Sequence, residues 1–439
     1  MLNIHSHINT LINKFLLTTL KLSGLLFVLL IFSFFNPVKN GIENYDNEIK
    51  SIVIQWYTLY LDLERKDISA YPVVSSERLA EMGISGYQAI VAENQSCKNP
   101  SALLVLNNVY SILLLKYYGI QDLSSKMKII KLHDDIEKSL NKTVISDNEA
   151  GNKALKISKQ AEEVLRGVSK QSGTIQKLNQ VADKHLFVSQ KPVLPQWGEK
   201  NTIIVRKEEI YCKPPYQNET SFEKAIFDDA LAIYSLSMNL SKDDIWIAEF
   251  WSDDVRGLTF SPSSRWISIA NQIVLKQEVE VVDLMTLYLR LGVGMYDAGI
   301  ICWQEKYKYA LERPVSYIKN NISDSWEPLH PTPSFPSYPS GHAVFGAVAS
   351  KILEDQFGSR FSFTDRSHSS RIEFEGKERN FHSFQEMAQE NAYSRMLLGV
   401  HFKEDCDEGL KLGYEVSKII INTPTEALAG KVFESFCEL

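Results

Sequence analysis

The chain has 439 residues, 44% of them hydrophobic and 11% aromatic, with a net charge of −7. That length supports one large or two ordinary domains around a substantial core. The acidic balance, with no long basic run, excludes nucleic acid as the main partner. Any anion-binding site must be a local exception to the global sign.

The first 35 residues stand apart from the rest. Lys14 and Lys21 precede a 14-residue uncharged run, 22–35, and then Asn36-Pro37. The run is short for a spanning helix and has the length of a signal-peptide core. No clear Ala-x-Ala follows it, and no cysteine that could take a lipid. Residues 1–35 therefore read as a signal peptide or as an uncleaved N-terminal membrane anchor. Either reading places the body, 36–439, in an exported compartment, periplasmic or extracellular. Five cysteines (Cys97, Cys212, Cys302, Cys406, Cys437) are scattered with no CxxC pair. They make neither a zinc site nor a disulfide scaffold, and at most two bridges are expected after export.

Beyond residue 36 the pattern is mostly helical. Helices are expected over 49–63, with Trp56, Leu59, Tyr60 and Leu63 on one face, and over 76–92 and 102–118. Asn107 and Asn108 interrupt the last of these, marking a core helix rather than a membrane span. Amphipathic helices follow over 124–141 and 147–170. Residues 171–220, rich in proline, read as a long irregular link with a short extended piece at 202–205. Helices resume over 221–239, 242–252, 261–274 and, as one long element, 281–312. An irregular stretch over 314–339 precedes a helix over 343–357. Residues 361–381 read as a hairpin or loop. Ser383-Phe-Gln-Glu386 is a capping box opening a helix to about 399, and a last helix covers 405–422. The expected fold is all-α: two packed helical bundles, a half and link over 36–220 and a catalytic half over 221–439. No internal repeat or low-complexity segment is present.

Three stretches carry chemistry. Pro339-Ser340-Gly341-His342 follows a proline-rich approach and opens a helix, where unpaired N–H groups and the positive end of the dipole favour an oxyanion. Gly341 lets the backbone come close to such a ligand, and His342 can exchange a proton near neutrality. In the second stretch, Lys306 and Arg313 are seven residues apart, so on one long helix they share a face, with Pro314 ending it. The third is Ser394-Arg395, then His401 and Asp405. At i, i+4 this His and Asp meet if the turn is helical, which leaves one imidazole nitrogen as nucleophile or ligand. Each stretch alone has an ordinary reading, as a helix start or a solvated pair. Together they offer three cations, a hydroxyl, a glycine N–H and two histidines, the set that a tetrahedral or trigonal-bipyramidal oxyanion needs.

Lys-x6-Arg-Pro, Pro-Ser-Gly-His and Ser-Arg-x5-His-x3-Asp, all intact here, resemble the signature of the phosphatidic-acid-phosphatase type 2 and vanadium haloperoxidase superfamily. The chain looks most like the bacterial soluble branch of the vanadium-dependent haloperoxidases, with specific likeness over about 220–415. Asp297-Ala298-Gly299, the stretch 335–342 and Gly399-Val-His-Phe402 share that look. The resemblance implies one vanadate per chain as cofactor, with His401 bonding the metal and Asp405 orienting it. Lys306, Arg313, Arg395, Ser340 and the Gly341 N–H would bind the vanadate oxygens. His342 would be the acid–base group for hydrogen peroxide, Lys306 would polarise the peroxide, and Trp303 and Phe335 would shape the halide side. The substrates implied are hydrogen peroxide and halide, giving hypohalite; the halide, the organic acceptor and the oligomeric state are not readable. The same pocket suits a soluble acid phosphatase of this superfamily, in which His401 would carry a phosphoryl group. The absence of the many spans of lipid phosphatases, the two aromatic positions and the large N-terminal half favour the haloperoxidase. His330, His368 and His382 are candidate entrance residues with structural roles favoured. Asp253, Asp254, Arg265 and Trp266 read as packing and capping residues.

Overall fold

The computed structural model describes residues 37–91, 101–120, 122–140, 147–167, 185–217, 219, 221–253, 255, 258–369, 371 and 378–430. The run at 22–35, Cys97, Cys437 and Asp254 lie outside them. The chain divides into two units, Met1–Ile49 and Lys50–Leu439, and all three motifs belong to the second. No helix of the described residues is long and apolar enough to cross a membrane.

The first half contributes α1 (Pro37–Glu64), α2 (Pro72–Ile90), α3 (Ser101–Tyr118), α4 (Leu123–Ser139) and α5 (Asp147–Gly167). The expected helices are all present, within a few residues except that α1 begins earlier. Asp122 caps α4, accepting from Ser124 and Ser125 N–H. α2 to α5 pack on one another. Asn107, the polar break in α3, is buried and accepts from Trp56 Nε1 at 2.9 Å. A buried amide with a partner costs little, which is how a polar residue sits in so apolar a helix.

The link from 185 to 217 contains a 3-10 turn at Pro195–Glu199. Residues 202–205 do not form the expected extended piece. They turn so that the N–H groups of Ile203, Ile204 and Val205 converge on the buried Asp297 carboxylate at 2.6, 2.9 and 2.9 Å. Satisfying that carboxylate outweighs the β-branched propensity of Thr202-Ile-Ile-Val205.

The second half holds α6 (Phe222–Ser237), α7 (Lys242–Phe250), α8 (Pro262–Lys276), α9 (Val281–Tyr309), α10 (Pro314–Asn321) and α11 (Gly341–Phe357). A hairpin of β1 (Phe363–Asp365) and β2 (Arg379–Phe381) comes next, then α12 (Phe384–Leu397), α13 (Lys403–Asn422) and α14 (Thr425–Leu428). α9 is buried nearly all round and packs on both α2 and α11, so it joins the two bundles. Ser383 accepts the Glu386 N–H as expected, but Glu386 returns to the His382 N–H rather than to Ser383.

Two expectations around Arg313 fail. The long helix stops at Tyr309, where Ala310 takes a left-handed φ of 49°. Leu311 then pairs antiparallel with Leu186, and Pro314 opens α10 instead of merely ending α9. Proline is preorganised for a first helical turn, and here that role prevails. Lys306 and Arg313 therefore do not share a helix face, and 314–321 is helical, not irregular.

α11 and α13 meet at backbone distance. A Cβ on Gly409 would lie 2.7 Å from the Ser340 carbonyl oxygen, and one on Gly413 would lie 2.4 Å from that of Val344. These two glycines let the start of α11 rest on α13, which brings two of the three motifs together.

Candidate active site

The three motifs converge at helix ends. Lys306 comes from the last turn of α9 and is fully buried. Its Nζ donates to the carbonyls of Pro336 and Ser337, both at 2.9 Å, and of Pro339 at 2.5 Å. An ammonium has three donors, and the proline-rich loop takes all three. Lys306 thus fixes the loop that delivers Ser340, a role its spacing did not reveal.

Arg313, at the residue before α10, donates Nε–H to Phe335 O at 2.9 Å and Nη1–H to Val400 O at 2.8 Å. The same Nη1 lies 3.1 Å from His401 Nε2. A guanidinium only donates, so Nε2 is the accepting nitrogen and Nδ1 carries the proton. Nδ1 in turn faces Asp405 Oδ2 at 3.0 Å. The pair forms although α13 begins only at Lys403: His401 lies before the helix and Asp405 in its first turn. Burial, then Arg313, Lys306, Arg395 and His342, push His401 well below the ordinary imidazole value. It is a neutral imidazole with its Nε2 lone pair toward the cations.

Asp405 Oδ2 also accepts from the Phe402 N–H at 2.9 Å and from the Ser337 hydroxyl. Burial pushes its carboxyl up to about 7, against the pull of Ser337, Lys306, the Phe402 N–H and Arg313. Burial likewise lowers Lys306 to about 8.

Arg395, in the last turn of α12, is buried and donates Nη1–H to Trp251 O at 3.1 Å. His342 is buried in the first turn of α11, and its carbonyl accepts from Asn391 at 3.2 Å. Ser340 stands at the N-cap of α11, its N–H on Asp405 O at 2.8 Å, but its side chain caps nothing. The buried Ser340 Oγ has no hydrogen-bond partner among the described residues. Trp303 and Phe335 pack at 5.1 Å between ring centres, and Lys306 Nζ lies 5.2 Å from the Phe335 ring.

An unpartnered buried hydroxyl at a helix N-terminus, beside three buried cations and one carboxylate among the motif residues, has the chemistry of an oxyanion site. Tetrahedral vanadate or phosphate fits this donor set. All ten residues singled out by sequence belong to this neighbourhood. Sequence reasoning missed Ser337, Trp251 and Asn391. Ser337 lay inside the motif stretch and was legible as a neighbour, whereas the other two are brought in only by packing.

The histidines weighed as entrance residues have packed or solvated settings. His368 is buried beside Arg265, His330 bonds Glu249 at 2.8 Å, and His382 is exposed. Arg265 is buried between Asp253 and Asp365, at 3.4 and 2.8 Å. Cys212, Cys302 and Cys406 are buried free thiols, so none of the three is bridged, and Cys97 and Cys437 lie outside the described residues.

Helical bundles with buried cations gathered at the helix ends of the second can be set beside proteins of known structure. The family model described as the VCPO second helical-bundle domain matches residues 286–430, which contain all ten site residues. The vanadium chloroperoxidase of Curvularia inaequalis is 24% identical, over 46% of this chain and 44% of that protein. This chain thus matches less than half the length of that curated relative. Among solved structures, a bacterial vanadium-dependent iodoperoxidase superposes with a TM-score of 0.70 and 22% identity, covering 85% of this chain and 95% of that one. A bacterial vanadium-dependent chloroperoxidase in its holo form gives 0.65 and 14%, covering 84% and 96%. The chain has their all-α fold, and the likeness to vanadium haloperoxidases read from its motifs holds.

Proposed function

We propose that this chain is a vanadium-dependent haloperoxidase, holding one vanadate and converting hydrogen peroxide, halide and a proton to hypohalous acid and water. The observation that carries the reading is the neutral His401, its Nδ1–H on Asp405 and its Nε2 turned to the cations beside the unpartnered Ser340 Oγ. In this reading residues 221–439 carry the catalysis and 36–220 the scaffold.

Vanadate, when bound, supplies a Lewis acid that activates peroxide without changing oxidation state. His401 Nε2 would hold the metal, and Asp405 fixes the tautomer and aim of that ring. Arg313 and Arg395 neutralise oxyanion charge in a water-poor pocket, where each contact is strong. Lys306 adds its charge and holds the Pro336–Pro339 carbonyls, thereby setting Ser340 and the Gly341 N–H. His342 accepts a proton from peroxide and returns one to the departing oxygen. Trp303 and Phe335 give the halide a weakly hydrating wall. The run at 22–35 supports an exported protein, periplasmic or extracellular, with or without an anchor.

The test is a paired assay on metal-free protein lacking residues 1–35. Orthovanadate with peroxide and each halide should give halide oxidation, and His401→Ala should abolish both vanadate retention and oxidation. Release of phosphate from p-nitrophenyl phosphate, inhibited by vanadate and with no halide oxidised, would instead make His401 a phosphoryl acceptor.

A further inference from the structure

A cavity of about 130 Å³ opens between the turn joining α1 to α2, the segment before α8 and the proline-rich loop that carries Phe335. Three rings line it, Tyr71, Phe260 and Phe335, together with three carboxylates, Glu64, Asp67 and Asp253. Among its described lining residues none is Lys, Arg or His. An apolar cavity of about 150 Å³ takes benzene, so the room here is that of a single ring.

The cavity adjoins the cation cluster through a shared wall. Phe335 lines the cavity, while its ring centre lies 4.9 Å from the Arg313 guanidinium carbon and 5.2 Å from Lys306 Nζ. A second ring is held firmly: Phe260 has the Arg65 guanidinium carbon 4.1 Å from its centre and His368 stacked at 6.0 Å. The carboxylates are held too. Glu64 accepts the Ser261 and Ser264 hydroxyls at 2.9 and 2.7 Å, and Asp67 pairs with Arg78 at 2.9 Å. The bonds described for Glu64 come from hydroxyl and amide donors, so none of them offsets its charge with a cation. Asp67 and Asp253 are paired with Arg78 and Arg265, so Glu64 is the lining carboxylate with no cation described; aromatic walls favour a flat ring, and that carboxylate disfavours an anionic one.

We propose that this cavity docks the organic acceptor, an electron-rich aromatic ring of phenol type that is neutral or cationic. The proposal rests on the haloperoxidase reading. Hypohalous acid formed at the cations meets the docked ring: the ring carbon–halogen bond forms and the oxygen–halogen bond breaks. The ring proton leaves with the hydroxide as water, so ArH and HOX give ArX and H2O. Docking next to the source makes halogenation selective, where halogenation by released hypohalous acid is not.

Ala70 lines the cavity in the turn between α1 and α2, and Ala70→Trp fills it. With vanadate-free protein, calorimetry should show saturable binding of tyramine, and at least tenfold weaker binding of the anionic 4-hydroxyphenylacetate. Ala70→Trp should weaken tyramine at least tenfold. With vanadate loaded, acceptor-free iodide oxidation should match in the two proteins. The ortho-to-para ratio of phenol bromination should differ at least threefold from that of reagent hypobromous acid in the wild type, and return to the reagent value in the variant. Should Ala70→Trp not fold, Ala70→Leu should shift both readouts in the same direction. No tyramine binding, or a wild-type ratio equal to the reagent's, overturns the proposal. Loss of iodide oxidation in the wild type sinks the haloperoxidase reading instead, while tyramine binding to the vanadate-free protein is read independently.

Discussion

Two buried clusters of this molecule use the same side chains to opposite ends. Around Arg265, carboxylates answer the charge: Asp253 and Asp365 flank one guanidinium, with His368 beside them. Around Ser340 the motif residues bring three cations and one carboxylate, and the bonds described for Lys306, Arg313 and Arg395 run to backbone carbonyls and to His401. Carbonyl dipoles solvate a cation without neutralising it. The first cluster is electrically closed and holds α8 to the β-hairpin. Among the motif residues the second counts three cations to one carboxylate inside a chain whose net charge is −7, an imbalance that a bound anion would offset. Burial of charge alone does not mark a site; three motif cations gathered around an unpartnered hydroxyl do.

Breaking each cluster should therefore give different symptoms. Arg395→Ala should lower vanadate affinity about 100-fold, as loss of one oxyanion donor commonly does, while the thermal midpoint of the metal-free protein is unchanged or higher. Equilibrium dialysis with calorimetry reads both, and a large loss of stability would place Arg395 in a closed cluster instead. Asp365→Asn should do the reverse. It strips a buried guanidinium of one partner, costing about 3–5 kcal/mol in urea unfolding, with vanadate affinity of the folded protein unchanged. Burial works to raise Asp365, but Arg265 and Ser367 more than offset it and hold its carboxyl below the usual range. The wild type thus has stability above the ordinary carboxylate pKa that fades as pH falls through the folded one, and Asp365→Asn should lack that fading. Between the helices, Gly409→Ala should push α11 from α13 at the cost of about 2 kcal/mol and loosen vanadate by moving Ser340. Preserved affinity there would show that α11 is positioned without α13.

How much of this was legible in the chain depends on the range of the forces involved. Helix existence comes from local period, so α2 to α5 and α11 to α13 were readable. The cation excess was readable as well, because the three motifs hold their residues at short spacing. The end of α9 was not: Ala310 turns left-handed because Leu186 waits to pair with Leu311, a partner 125 residues away in the chain. For the same reason Thr202–Val205 looked extended, since nothing local shows Asp297 waiting for three N–H groups. Lys306 illustrates both limits. Its membership in the site was plain, but its grip on three loop carbonyls depends on a fold that spacing does not contain.

Lys306 also offers the finest separation of the two clusters, by pH. Burial lowers its ammonium to about 8, from an ordinary value of 10.5. Between those values the unfolded chain binds a proton that the folded one does not, so folding stability of the metal-free protein should rise as pH increases from 8. Anion binding runs the other way, because a neutral amine contributes no charge. Vanadate affinity should fall about tenfold per pH unit above 8, or about 1.4 kcal/mol per unit. The Arg265 cluster, whose guanidinium does not titrate here, should contribute to neither trend. Lys306→Met should flatten both curves between pH 8 and 10, at an affinity already reduced at pH 7. If affinity instead stays level to pH 10 in the wild type, Lys306 is still protonated in the empty pocket, and the carbonyl cage holds its charge there without help from an anion.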